Sequence, residues 1–266
     1  MTAEQRAAIL QDLAANRPLG GALTLTTLLY YGGGLLVLIA YAIFLGVQWA
    51  DLNSGARIAI SAGSLVALAE RFEGGRLNSP NDIVVDSQGR VWFTDPRYGD
   101  RSGLELGHES VFRLDPLPTG GYAITRVTFD TTRPNGLVLS PDERTLYVAE
   151  SPPAPEGARQ LRAYPVQPDG SLGPMRVLHD FGPHRGIDGM RVDAESNVVA
   201  TCGWTTSGPG PRIAVFAPDG RVLDEHPTPT IPTNCCFAGP ALRTLYVTGY
   251  DGALYRAVTD RRGLTR

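Results

Sequence analysis

Two periodicities divide the chain. From about Gly63 to Arg266, apolar and polar positions alternate in short runs broken by Gly, Pro and Asp turns, with no long helical period. That texture predicts short antiparallel strands throughout residues 63–266. The first sixty residues read differently. Thr2-Ala3-Glu4-Gln5 has the form of a capping box, and Ile9, Leu10 and Leu13 fall on one face of a short helix that Pro18-Leu19-Gly20-Gly21 would end. No charged residue occurs from Pro18 to Ala50, and Leu23 to Trp49 is long and apolar enough to cross a hydrocarbon core as a helix. A buried soluble helix, or a strand pair broken at Gly32-Gly33-Gly34, is the alternative. The domain expectation is therefore a helical, membrane-like segment at 1–62 and a β domain at 63–266.

Within the β part, four segments align. They start at Asn81-Asp82, Asn135-Gly136, Asp188-Gly189 and Asn234-Cys235, at intervals of about 50 residues. Each continues with a few strand residues, a turn and a second strand. A period of this length built of short strands predicts propeller blades. Repeat symmetry then places Asn81, Asn135, Asp188 and Asn234 around one mouth of a central channel. Oxygen-bearing side chains converging there would suit a hard cation, calcium first among them. The competing reading is that each Asn or Asp merely opens a turn, as Asn-Gly and Asp-Gly favour.

Composition narrows the partners. The formal charge is −3 with no basic block, which argues against nucleic acid. All 24 cationic Lys/Arg residues are arginine, spread along the chain. The three cysteines, Cys202, Cys235 and Cys236, form neither a disulfide framework nor a zinc pattern and read as buried thiols. No G-x-S-x-G context surrounds Ser151, and no phosphate loop or dinucleotide fingerprint exists.

Arg76-Leu77-Asn78-Ser79-Pro80-Asn81-Asp82, then Val91-Trp92-Phe93-Thr94-Asp95-Pro96 and Tyr98-Gly99, resembles the gluconolactonase / senescence-marker protein family. Arg133-Pro134-Asn135-Gly136, Gly186-Ile187-Asp188-Gly189-Met190 and Thr233-Asn234-Cys235-Cys236-Phe237 continue the resemblance in order over about residues 63–266. The resemblance implies a propeller of the six-bladed type, a central divalent cation, and hydrolysis of a cyclic ester. By position it makes Asn135 and Asp188 metal ligands, Asn81 a metal or substrate ligand, and Asp188 also the base. Arg97, Tyr98 and His184 lie on loops at the expected mouth and are candidate substrate contacts. Glu150, at a strand end where it could face the channel, is only a candidate stand-in acid. Residues about 20–60, with Gln48-Trp49 and Ser54-Gly55-Ala56-Arg57, are similar to the start of an uncharacterised bacterial multi-span membrane protein family.

The chain departs from the gluconolactonase pattern at its first blade. Leu45 in Leu45-Gly46-Val47-Gln48-Trp49 stands where the family carries a metal-binding glutamate. At about 50 residues per blade, residues 63–266 make about four blades, so the expected fold is all-β but an incomplete propeller lacking its N-terminal blades. Open blade edges invite self-association. Two functions follow: a calcium-dependent lactonase acting on a small-molecule lactone, impaired or inactive in this form, or a non-catalytic, membrane-tethered propeller serving as a binding module. Arg6 and Arg17 before the apolar run, against Arg57 after it, favour a propeller outside the cytoplasm if residues 23–49 insert. Without insertion the chain is expected in the cytoplasm.

Overall fold

Each sequence repeat folds as one antiparallel sheet. A computed structural model describes residues 68–153 and 157–264, all within the unit Asn53–Arg266. A small hairpin, β1 (Arg71–Phe72) and β2 (Gly75–Arg76), comes first. Blade 1 is β3 (Ile83–Val85), β4 (Val91–Asp95), β5 (Ser110–Pro116) and β6 (Tyr122–Arg126). Blade 2 is β7 (Pro134–Leu139), β8 (Thr145–Glu150), β9 (Gln160–Pro165) and β10 (Arg176–Asp180). Blade 3 is β11 (Ile187–Val192), β12 (Val198–Trp204), β13 (Ser207–Phe216) and β14 (Val222–Pro227). Blade 4 has three strands among the described residues, β15 (Pro232–Ala238), β16 (Thr244–Gly249) and β17 (Leu254–Val258). Every sheet is a simple meander, its strands hydrogen-bonded in chain order. This is the all-β, four-blade propeller arrangement that the repeat predicts. The predicted helical segment at 1–62 and the apolar run at 23–49 lie outside the described residues. Among those described, no helix is long and apolar enough to cross a membrane.

Alternation decides the packing. Successive side chains of a strand face opposite sides of a blade, so the two sets enter different inter-blade layers. Leu137 and Leu139 of β7 pack with Trp92 and Val111 of blade 1, while Val138 packs with Met190 and Val192 of blade 3. Cys235 and Phe237 of β15 meet Val199, Ile213 and Val215 of blade 3. Trp92 is fully buried, its indole donates to Asp86 Oδ2 at 3.0 Å, and the Arg90 and Arg113 guanidinia lie 5.5 and 5.4 Å from its ring. Burying such side chains stabilises by roughly 2–3 kcal/mol each, which makes the layers the main source of cohesion.

The two ends of the series differ. The outer face of blade 1 is covered: Phe72 of the β1–β2 hairpin meets Phe112 edge-on at 5.0 Å, and Leu77 and Leu106 close over the Phe93–Phe112 stack. On blade 4, Leu254 and Val258 stay 66% and 86% exposed.

Candidate functional site

The inner strands β3, β7, β11 and β15 carry the candidate residues, and their register fixes which positions are equivalent. Asp82 N–H donates to the Thr94 hydroxyl at 3.1 Å, Gly189 N–H to the Thr201 hydroxyl at 3.0 Å, and Asn234 N–H to the Thr248 hydroxyl at 3.0 Å. Ile83 pairs with Phe93, Leu137 with Val148, Met190 with Ala200, and Cys235 with Val247. Asp82, Gly136, Gly189 and Asn234 are therefore one equivalent set, and Asn81, Asn135, Asp188 and Thr233 are the set before it. The sequence repeat aligns Asn234 with Asn135 and Asp188, and the structure corrects this by one residue. A slip of one residue turns a side chain to the other face of the strand, so Asn234 does not share their orientation. Its amide oxygen accepts from Cys235 N–H at 2.8 Å, as Asp82 Oδ1 accepts from Ile83 N–H at 2.9 Å.

The Asn-Gly and Asp-Gly pairs do not open turns. Asn135-Gly136 and Asp188-Gly189 lie inside strands, where pairing shifts between Pro134 and Leu137 and between Ile187 and Met190. Bulges of this kind re-aim a side chain. Glycine is needed there for close approach: a Cβ on Gly136 would overlap the Asp188 carbonyl oxygen, and one on Gly189 would overlap the Asn234 amide. The motif thus brings neighbouring inner strands together at the level of the candidate residues.

Asn135 and Asp188 come together. The Asn135 residue is buried, Gly136 beside it packs on the Asp188 carbonyl, and the Asn135 amide is close enough to the Asp188 carboxyl and the Tyr98 hydroxyl to lower both pKa values. Burial pushes the Asp188 pKa above the usual carboxylate value, and Arg185 and Asn135 partly offset it. Asn81 occupies the equivalent position on blade 1 and is exposed. Its N–H donates to Thr94 O at 2.9 Å, and the segment before it is held by Asp95, which accepts from Asn78 N–H at 2.8 Å and Ser79 N–H at 2.7 Å. The Tyr98 hydroxyl turns inward and donates to Ser151 O at 3.1 Å, with the Arg133 guanidinium 5.6 Å from its ring. Burial and then the Asp188 and Glu150 charges hold Tyr98 protonated well above the usual phenol range.

The other candidates are engaged elsewhere. Arg97 donates to the carbonyls of Asn78 and Asp100 and braces its own loop. The His184 ring lies against Gly208, and its Nδ1 is buried without a hydrogen-bond partner. Glu150 is fully buried and accepts from Thr132 N–H, the Thr132 hydroxyl, Arg133 N–H and Arg162, so it is a structural clamp and no stand-in acid.

Two residues at the site escaped the sequence reading. Arg185 reaches Asp188 Oδ2 at 2.5 Å, and its spacing gave no signal, because residues three apart in an extended segment point to opposite sides. Asp82 is buried beneath the mouth, with Oδ2 accepting from Leu137 N–H of blade 2 at 3.2 Å, and burial raises its pKa despite Arg191 nearby. Its signal was an Asp where two of the other repeats carry Gly.

Among the described residues no cluster of three or more His, Cys, Asp or Glu side chains is placed to hold a metal ion. A cation here would have one carboxylate, Asp188, supplemented by amide oxygens of Asn135 and Asn81. All are hard oxygen donors, and Asp188 keeps 24% of its side chain exposed, so the set fits a hard divalent cation in kind.

The chain is similar to known lactonases. It is 34% identical over 195 residues to a gluconolactonase of Zymomonas mobilis, covering 68% of this chain and 50% of that protein. It is 35% identical over 202 residues to a 6-deoxy-6-sulfogluconolactonase of Pseudomonas putida, covering 74% and 63%. The solved gluconolactonase of Xanthomonas campestris superposes with a TM-score of 0.59 at 37% identity, covering 71% of this chain and 60% of that one. The chain thus spans about half to two thirds of the length of these relatives. Residues 19–250 match the sequence model of the SMP-30/Gluconolactonase/LRE-like region, a match that begins inside the segment read as membrane-like. On this match, the chain belongs to the SMP-30/gluconolactonase/LRE-like family.

Proposed function

We propose that the chain hydrolyses a lactone of the aldonolactone type at the mouth lined by Asn81, Asn135 and Asp188, with calcium as cofactor. The observation that supports this most is the meeting of Asn135 and Asp188 on bulged inner strands, in a chain 34–35% identical to two lactonases. Asn135, Asp188 and Asn81 would hold the cation, which when bound polarises the lactone carbonyl and stabilises negative charge on its oxygen. Asp188 would accept the proton from the attacking water; a cation beside it keeps the carboxylate ionised and so always available, though weak, as a base. The Asn135 amide lies close enough to the Asp188 carboxylate to favour its charged form. Tyr98, a neutral donor on a residue 37% exposed, offers one wall for the substrate.

A pH-indicator assay on a panel of aldonolactones, with and without chelator, tests the proposal. Turnover should require the divalent cation and disappear in Asp188→Ala; turnover that survives this substitution refutes the assignment. The second reading, a non-catalytic binding module, is favoured by one observation, the ion pair that already engages Asp188. Saturable binding of an aldonolactone without turnover would decide for it.

A further inference from the structure

The contact between Arg185 and Asp188 is built from three sides. One guanidinium nitrogen meets Asp188 Oδ2 at 2.5 Å, another donates to Gly203 O at 3.1 Å, and the guanidinium carbon lies 5.4 Å from the Trp204 ring centre. Both partners keep about a fifth of their side chains exposed, 20% for Arg185 and 24% for Asp188. Gly203, the last but one residue of β12, has φ +89°, and a Cβ there would overlap the Gly210 carbonyl. The carbonyl that holds Arg185 is therefore fixed by a position that only glycine fills.

The geometry points to Arg185 as a resident counter-cation that opposes a divalent ion at Asp188. The inference rests on the cation reading above. Asp188 is the one carboxylate in that donor set, and its Oδ2 is taken by a guanidinium. A dication at Asp188 must either displace that guanidinium or sit beside it, and both costs lower affinity. Arg185 is not lost when displaced, because Gly203 O and the Trp204 face still hold it three residues from Asp188. Occupancy at Asp188 and the orientation of Arg185 are then two sides of one exchange.

Calorimetric titration of calcium chloride into the chelator-treated full chain tests this, with wild type, Arg185→Gln, Arg185→Lys and Asn135→Ala compared. Arg185→Gln should bind calcium about ten-fold more tightly than wild type, Arg185→Lys close to wild type, and Asn135→Ala more weakly. Calcium should also change the emission of Trp204 in wild type, and the change should vanish in both Trp204→Phe and Arg185→Gln. Equal or weaker binding by Arg185→Gln overturns the inference while leaving the cation reading intact. A merely structural Arg185 would give that outcome together with a lower Tm. Absence of saturable binding in every variant, at millimolar calcium, removes the cation reading and this inference with it.

Discussion

Asp82 and Thr94 are joined twice across the first two strands of blade 1: Asp82 N–H donates to the Thr94 hydroxyl at 3.1 Å, and Thr94 N–H donates to Asp82 O at 3.0 Å. Thr201 and Thr248 take the same hydroxyl role on blades 3 and 4. These threonines fix which inner-strand residue faces the mouth, and so define the site before any ligand is considered.

Gly136→Ala should destabilise the fold by about 2–3 kcal/mol, because the added Cβ drives against the Asp188 backbone rather than a movable side chain. Gly99→Ala, where a Cβ meets nothing within 4 Å, is the control and should stay within about 0.5 kcal/mol. Urea denaturation of both measures the difference; equal midpoints would refute the close-approach account.

Asp95 gives a pH dependence with a definite sign. Burial raises its pKa from 3.8 to about 6, against the lowering effect of the Asn78 and Ser79 N–H groups. The folded state therefore holds its proton more tightly than the unfolded state, so its contribution is fullest below 3.8 and is lost as pH rises to about 6. Asp95→Asn should remove that downward slope from the stability curve between pH 4 and 6, seen in chemical denaturation across the range.

Replacing Glu150 by Gln leaves the Arg162 guanidinium, 8% exposed, without its charge partner. A loss of about 3 kcal/mol is expected, since a buried ion pair broken on one side leaves an uncompensated charge. A catalytic role predicts the reverse pattern, unchanged Tm with lost turnover, so melting and kinetics together separate the two.

Tyr98→Phe removes the donor to Ser151 O and should lower stability by roughly 1 kcal/mol. If Tyr98 also forms a wall of the substrate site, KM rises more than kcat falls. A kcat loss at constant KM would place the hydroxyl in the chemistry instead.

Much of this was legible from sequence because strand alternation and turn spacing are local properties. The blades of residues 81–258 could be read that way, as could Asn135 and Asp188, whose glycine partners mark a repeated backbone feature. The one-residue error at Asn234 arose because Thr233-Asn234-Cys235 offers an amide beside the true position, and only the pairing of Cys235 with Val247 and the Thr248 hydroxyl decides between them. Where the long or rotatable side chains of Arg97 and His184 come to rest depends on neighbours far away in sequence, here Asn78 O and Gly208. Arg185 was missed for the same reason, since its anchors Gly203 and Trp204 lie on the next strand.

Blade 2 carries Ala149 where its neighbours carry Thr94, Thr201 and Thr248, so its bulge lacks the internal hydroxyl latch. Gly136 also lacks the side-chain oxygen that takes the next amide on blades 1 and 4, so the Leu137 amide is held by Asp82 Oδ2, a group that belongs to blade 1. Asn135 therefore reaches its final orientation only after two sheets have docked, and its order is a property of that encounter rather than of its own sheet. Folding of this chain cannot deliver the mouth blade by blade: hydrogen exchange at Leu137 should follow the opening of blade 1, and the site should form late, in one cooperative event with the joining of the first two repeats.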